Sequence, residues 1–135
     1  MNAALRLAAP IVAAIGLGAC ARPAKLEPPV VRYGEDVCAY CNMIVSEEPH
    51  AAAAAVDPGD GRIETRLYDD VGCLLRDEAA LRGPARWVHD LADAAWVGAE
   101  SATYVKNEQL QTPMGSGVAA FATRARAEEY AARDP

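Results

Sequence analysis

The sequence has few basic residues, few aromatic residues and few histidines, and these shortages narrow what the protein can be. Lysine and arginine number 13 against 19 aspartates and glutamates, which gives a formal net charge of −6. General binding to nucleic acid needs clustered positive charge, so nucleic acid is excluded as a partner. Only 6% of the residues are aromatic, and the core must therefore be built mainly from alanine, valine and leucine.

The sequence also lacks the repeated donor patterns of common zinc sites. It has 2 histidines and 4 cysteines, with one Cys-x-x-Cys pair and neither a second such pair nor two closely spaced histidines. A structural zinc site normally uses one or the other. Four cysteines are also too few for a small fold that depends on disulfides.

The N-terminus is typical of a bacterial export signal. Residues 1–19 carry Arg6 and then an apolar run that is shorter than the ~20 residues of a membrane-spanning helix. The run ends in Leu-Gly-Ala before Cys20, which is the pattern of a lipobox, so we predict a lipoprotein signal peptide and lipidation at Cys20. An ordinary cleaved signal and a retained anchor are the alternatives. By analogy with other lipoproteins, Ala21 rather than aspartate after this cysteine permits export to an outer membrane, so we expect a periplasmic protein anchored there.

Residues 20–34 contain three prolines and no periodic apolar pattern, which indicates an extended tether between the lipid and a domain over residues 35–135. With 52% apolar and 24% charged residues overall, the chain suits one globular domain. The mature chain keeps Cys38, Cys41 and Cys73. In an oxidising compartment, an odd number leaves at least one thiol without an intramolecular partner.

The apolar pattern predicts an α+β fold with a mostly antiparallel sheet and two helices. A strand over 43–56, interrupted at Pro49, and a strand over 62–68 flank a strong turn and form a hairpin. Asp69 and Asp70 can cap a helix over 71–82. Four short strands and a closing helix follow, at residues 87–89, 95–97, 102–105, 117–123 and 124–133.

Sulfur side chains are concentrated where the tether meets the first strand, at Cys38, Cys41 and Met43. Thiolate and thioether are soft donors that favour Cu(I). Asn42 tolerates a positive φ and would let the chain turn sharply between the last two of them. A structural disulfide and the redox pair of a periplasmic thiol–disulfide oxidoreductase, both formed by Cys38 and Cys41, are the alternatives. The redox pair would be expected to open a helix, whereas Ile-Val after Met43 favours a strand.

Other potential donors are scattered along the chain. Met114 lies in a polar, glycine-rich loop, where a methionine that fills the core is not expected. Cys73 follows a helix cap, where a small buried cysteine is also common. His50 follows a proline near the cysteine cluster and is a candidate ligand. His89 lies between apolar strand residues, which favours a place in the core.

Together these motifs resemble the NosL family of copper-binding lipoproteins, and they cover nearly all of the mature chain. The shared features are the lipobox, the proline-rich tether and three blocks: Cys38-x-x-Cys41-x-Met43-Ile44-Val45, Tyr68-Asp69-Asp70-x-Gly72-Cys73 and Thr112-Pro113-Met114-Gly115-Ser116-Gly117-x-x-Ala120-Phe121. The usual glycine of the first block is Asn42 here, which keeps access to the left-handed region.

The resemblance implies a periplasmic Cu(I) metallochaperone, not an enzyme. Its implied partners are nitrous oxide reductase and the ABC-type maturation complex of the same system. The implied fold has two small ββαβ-like halves, akin to organomercurial lyase. The implied metal ligands are Cys41, Met43 and Met114, and further candidates are Cys38, Cys73 and His50. Kinship with the lyase leaves a third alternative, a lyase reaction that uses Cys41, Cys73 and Asp70, although fold is a poor guide to activity.

Overall fold

The computed structural model describes residues 25–133. The predicted signal peptide and the predicted lipidation site Cys20 lie outside the described residues. Within residues 25–133, none of the helices is both long enough and apolar enough to cross a membrane. The main sheet has four antiparallel strands in the order β2-β1-β3-β4. The strands are β1 (Ala52–Val56), β2 (Glu64–Tyr68), β3 (Ala85–His89) and β4 (Trp96–Gly98).

The centre of this sheet is the alanine run of β1, which is buried along its whole length. Ala52 pairs with Tyr68 of β2 on one side and with Val88 of β3 on the other. Short alanine side chains leave room for neighbouring elements to pack close to the strand, which offsets the low intrinsic preference of alanine for strands. The predicted hairpin is therefore confirmed, and its first strand lies in the middle of the sheet.

The first strand is shorter than the sequence pattern predicts. The predicted strand over 43–56 begins only at Ala52, because Glu48–His50 form a short 3-10 turn around Pro49. Proline has no N–H to donate to a strand ladder, and its fixed φ suits a turn. Upstream, an isolated bridge joins Val37 to Ile44, so the segment around the cysteines is a closed loop outside the sheet.

The helix predicted over 71–82 is divided into α1 (Val71–Arg76) and α2 (Glu78–Leu81). Asp77 divides them because its backbone is extended, with φ −86° and ψ 98°. Its carboxylate accepts hydrogen bonds from the N–H groups of Ala79 at 3.0 Å and Ala80 at 3.3 Å. Aspartate competes with helical hydrogen bonding inside a helix and stabilises a helix start, so the continuous prediction is wrong at this residue.

A second sheet and the last helix complete the fold. Strands β5 (Thr103–Lys106) and β6 (Val118–Phe121) pair antiparallel, and α3 (Arg124–Arg133) packs against them. The rings of Phe121 and Tyr130 lie 5.3 Å apart, centroid to centroid. The predicted fold class, α+β with antiparallel sheets, is confirmed. The first half follows the predicted ββαβ order, whereas β4 of the second half joins the edge of the first sheet.

The core lies between the main sheet and α1, and it reaches into the segment predicted as tether. Val31 and Tyr33 pack against the buried core, and the N–H of Gly34 donates to the carbonyl of Val45 at 2.9 Å. These residues are therefore docked on the domain in this structure. The same core contains Cys38 and Cys73, which brings the sulfur chemistry to the sheet–helix boundary.

Candidate metal centre

The segment from Cys38 to Met43 is a tight loop held by its own backbone. The N–H of Cys38 donates to the carbonyl of Met43 at 2.8 Å, and the N–H of Asn42 donates to the carbonyl of Cys38 at 3.0 Å. Asn42 has φ +62°, so the left-handed turn expected at this residue is confirmed. Asparagine adopts this conformation more readily than most residues with a Cβ. The loop therefore folds back on itself and places both of its cysteines near α1.

Three cysteine sulfurs converge at this place. The Sγ atoms of Cys38, Cys41 and Cys73 all lie within 4.8 Å of one another, and all three cysteines are free. Cys38 and Cys73 are buried, whereas Cys41 is partly exposed. Cys73 comes from α1, which follows the loop that carries the other two only after β1 and β2. The cluster is therefore buried at Cys38 and Cys73 and accessible to solvent at Cys41.

The pKa values of the three thiols are shifted in different directions. Burial acts to raise the pKa of the Cys38 thiol, but backbone N–H groups of Cys41, Asp69 and Tyr40 donate to its sulfur and bring the pKa below its ordinary value. Burial raises the pKa of the Cys41 and Cys73 thiols. Cys38 raises both pKa values further, whereas a hydrogen bond with Cys73 acts to lower the pKa of Cys41. Of the three thiols, Cys38 therefore loses its proton most readily. A soft cation would displace the thiol protons as it binds.

The loop that carries Met114 is attached to the start of α1 through one buried carboxylate, that of Asp70. The N–H of Met114 and the hydroxyl of Thr112 donate to Asp70 Oδ2 at 3.0 and 2.6 Å. Ser116 Oγ and the N–H of Gly72 donate to Oδ1. Burial alone would raise the pKa of Asp70, but these donors outweigh it and hold the pKa below the usual range. Asp70 is three residues before Cys73, so the Met114 loop is attached to the first turn of the helix that carries Cys73.

Met43 and Met114 are solvent-accessible. The side chain of Met43 is 57% exposed and that of Met114 is 38% exposed. Methionines that fill the core are buried, so these two side chains do not have that role. Their exposure suits contact with a ligand or a partner. Metal ligation by Cys41, Met43 and Met114 stays a prediction from the sequence.

Cys38 and Cys73, which the sequence placed among the further candidates, share the cluster with Cys41. One local signal points to Cys73: its position three residues after a capping aspartate, in the first turn of a helix. Nothing local in the sequence shows that this turn faces the Cys38–Met43 loop. Three sulfur donors suit a soft cation such as Cu(I) or Zn(II), so the residues present fit such an ion.

The two histidines have different surroundings. His89 is buried, with Nδ1 at 2.6 Å from the carbonyl oxygen of Ala94 and Nε2 at 3.1 Å from the hydroxyl of Tyr33. Its ring stacks on Trp96 with centroids 3.7 Å apart, so it is a satisfied core histidine. His50 is also buried, and its Nδ1 has no hydrogen-bond partner among residues 25–133. His50 is not a member of the three-sulfur group.

Comparison with known proteins identifies the family of this chain. The family model described as NosL matches residues 29–134, which is most of the chain. The chain belongs to the NosL family. One curated member is the copper-binding lipoprotein NosL of Stutzerimonas stutzeri, which is 27% identical over 146 residues and aligns with 97% of this chain and 77% of its own length.

A solved NosL structure shows the same fold. The crystal structure of the copper chaperone NosL from Shewanella denitrificans matches with a TM-score of 0.64, over 82% of this chain and 89% of that chain. The two sequences are 18% identical over this match, so the likeness is one of architecture.

Proposed function

We propose that this NosL-family chain is a periplasmic Cu(I) metallochaperone, anchored to a membrane by a lipid on Cys20. The observation that carries the proposal is the convergence of three free cysteine sulfurs within 4.8 Å of one another. Soft sulfur ligands select Cu(I) over hard cations. Two relatives bear names that state copper binding, one as a lipoprotein and one as a chaperone.

The burial pattern supports transfer rather than permanent storage. Cys38 and Cys73 form a buried floor, while Cys41 lies at the partly exposed side of the cluster. A partner's sulfur or imidazole can approach from that side and bind the ion before the last chaperone ligand leaves. Tyr40 in this loop and Ile44 directly after it are exposed apolar residues. Apolar residues next to a metal site can exclude water while two proteins are in contact.

The recipient of the metal is nitrous oxide reductase in this proposal, and the ABC-type membrane complex of its maturation system is the second partner. This part rests on the resemblance of the three motif blocks to the NosL family. The acidic balance of the chain, −6 overall, would steer the approach of a partner with a basic surface, and salt would weaken that steering. In this role the protein binds and releases cargo and is not an enzyme.

The thiol–disulfide oxidoreductase alternative fits the geometry less well. In such enzymes an accessible thiol of low pKa attacks the substrate. Here the thiol with the lowered pKa, Cys38, is buried, whereas the accessible thiol of Cys41 has a raised pKa. The Cys-x-x-Cys segment also forms a turn and does not open a helix.

A Cu(I) titration tests the proposal. The full chain carrying Cys20→Ser, kept reduced, would compete with a chromophoric Cu(I) chelator, and X-ray absorption would count sulfur neighbours. We expect one tightly bound ion with mainly sulfur ligands. Insulin reduction would be assayed in parallel. Catalytic turnover in that assay without Cu(I) binding would support the oxidoreductase and reject the chaperone.

A further inference from the structure

Two neighbouring aspartates at the start of α1 each hold one of the two sulfur-bearing loops. Asp69 Oδ1 accepts hydrogen bonds from the N–H and the hydroxyl of Ser46 at 2.9 and 3.3 Å, and Ser46 follows the Cys38–Met43 loop. Asp70 accepts its hydrogen bonds from the loop over residues 112–117. The helix that carries Cys73 is therefore the common support of both loops.

The carboxylate of Asp70 accepts four hydrogen bonds. Its side chain is fully buried, and each carboxylate oxygen accepts two hydrogen bonds, one pair from Gly72 and Ser116 and the other from Thr112 and Met114. Only an ionised carboxylate offers acceptor sites to four donors at once. The contact to Met114 comes from its backbone N–H, so the carboxylate fixes the main chain of the very residue whose thioether is a predicted ligand.

The loop also packs directly against the helix backbone. A Cβ atom added at Gly72 would lie 2.4 Å from the Cβ of Ser116, which is closer than two carbon atoms can approach without displacement. Glycine at this position thus lets the loop lie on the first turn of α1. Hydrogen bonds and close packing together leave the Met114 loop little freedom to move relative to Cys73.

We propose that Asp70 is a positioning residue for copper binding, which fixes Met114 relative to the cysteine cluster so that its thioether can complete the metal site. The inference rests on the proposed function. Without the carboxylate, Thr112 and Met114 lose their buried acceptor, and the loop leaves the helix. Asp70 also caps α1, which carries Cys73. Asparagine caps a helix start about as well as aspartate does, so the three cysteines remain in place in Asp70→Asn. Asp70 therefore acts on copper through Met114.

A double-mutant cycle tests this claim. Cu(I) affinity would be measured by chelator competition for the reduced full chain with Cys20→Ser, and for the same chain with Asp70→Asn, Met114→Leu or both. We expect each single substitution to weaken binding by roughly 10- to 100-fold, as loss of an outer partner of a metal site commonly does. The double variant should bind no more weakly than Met114→Leu alone. X-ray absorption should show that Asp70→Asn and Met114→Leu lose the same sulfur neighbour.

Asp90→Asn is the matched control. Asp90 is equally buried and also accepts several hydrogen bonds, from Ala92, Ala122 and Arg126. Its loss should lower stability but leave Cu(I) affinity and the sulfur count unchanged. If Asp70→Asn does not fold, Thr112→Val removes a single donor to the same carboxylate while keeping the side-chain shape. It should weaken binding in the wild-type background and have no effect beside Met114→Leu.

Three results would overturn the proposal. In the first, Asp70→Asn or Thr112→Val adds its full loss of affinity on top of Met114→Leu, which would mean that the carboxylate acts on copper by another route. In the second, Met114→Leu leaves affinity unchanged while Cys41→Ser lowers it. That outcome removes the positioning role and leaves the chaperone function standing. In the third, the wild-type chain fails to bind Cu(I), which rejects both.

Discussion

The sulfur atoms of Cys38 and Cys73 lie within 4.8 Å of each other, and both side chains are buried. One belongs to a loop before the first strand and the other to the first turn of α1. Only the folded chain brings them together, so a metal bound here would stabilise the native state by its preference for that state over the unfolded one. Because both are buried, the partly exposed sulfur of Cys41 is the ligand that a partner protein would reach first during copper transfer.

Replacing Cys73 by alanine should weaken Cu(I) binding strongly. The substitution removes one of the three converging sulfurs and leaves Cys38 and Cys41 in their loop. We expect a loss at least as large as the roughly 10- to 100-fold that follows removal of an outer partner of a metal site. Chelator competition under reducing conditions measures the affinity. Alanine is preferred to serine because Cys73 is buried in an apolar cluster, where an added hydroxyl would need a partner.

Met43→Leu is the comparison for Cys73→Ala. If copper is held by the cysteine cluster, the alanine variant loses more affinity than the leucine variant. Unchanged affinity in Cys73→Ala, with a large loss in Met43→Leu, would show that the ligand set implied by the family resemblance is the better one and that Cys73 is a structural residue.

Oxidation of the cluster should abolish Cu(I) binding reversibly. A disulfide reagent such as oxidised glutathione would accept two electrons, and two of the three thiols would release two protons as their S–S bond forms. We expect a thiol titration of the denatured Cys20→Ser chain to fall from three thiols to one, because the third cysteine has no partner. Copper binding would be lost in the oxidised protein and would return after reduction.

The same oxidation in a Cys41→Ser background distinguishes the pairs. Loss of both remaining thiols there would show that Cys38 and Cys73 can form a disulfide inside the fold. Intermolecular dimers on a non-reducing gel, instead of an intramolecular bond, would contradict the short distances between the sulfurs. An oxidised chain that still binds Cu(I) with wild-type affinity would exclude the cluster as the metal site.

Local features of the site could be predicted from the sequence because they depend on neighbouring residues. The close spacing of Cys38, Cys41 and Met43 fixed a sulfur-rich turn, and Asn42 does adopt the left-handed conformation expected of it. Alternating apolar residues predicted β2, and the sheet contains it. Each of these inferences uses the spacing of residues along the sequence or the backbone conformations that one residue can adopt.

Long-range contacts could not be predicted in this way. Pairing of the hydroxyl of Thr112 with Asp70 has no local signature, and the convergence of Cys73 with the Cys38–Met43 loop depends on how α1 packs on the sheet. The apolar spacing continues through Asp77 and predicts the interior of a helix there. Its part-buried hydrogen bonds with Tyr68 and Arg66, at 2.8 and 3.1 Å, favour the extended conformation that interrupts the helix.

Asp90→Asn should destabilise the protein in a pH-dependent manner. Burial would raise the pKa of Asp90, but the N–H groups of Ala122 and Ala92 and the guanidinium of Arg126 outweigh it and lower the pKa. A lowered folded pKa contributes stability above the unfolded value of about 3.9 and loses it as the pH falls through the folded value. We expect the variant to lose about 1–3 kcal/mol in the free energy of unfolding at pH 7.

The difference between wild type and Asp90→Asn should stay constant from about pH 7 to pH 5 and shrink below about pH 4, because the protonated acid then resembles the amide. Urea unfolding at several pH values measures it. Arg126 also pairs with Asp93 at 2.8 Å, so Asp93→Asn reports the contribution of the second acid. Asp57→Asn in the exposed turn should change stability by no more than about 0.5 kcal/mol. A gap between wild type and Asp90→Asn that widens in acid would contradict the assignment.

Gly83→Ala should be among the most damaging single-methyl additions to the fold. A Cβ at Gly83 would lie 2.1 Å from the carbonyl oxygen of Ala55 in the central strand, and a main-chain atom cannot move aside without shifting β1. Overpacking of this kind costs about 1–3 kcal/mol. Gly98→Ala is the matched control, since its nearest contact is Ser101 Oγ at 3.4 Å. Urea denaturation should give a clearly lower midpoint for Gly83→Ala and a midpoint near that of wild type for Gly98→Ala. Equal midpoints would contradict the close packing of the turn after α2 against the main chain of Ala55.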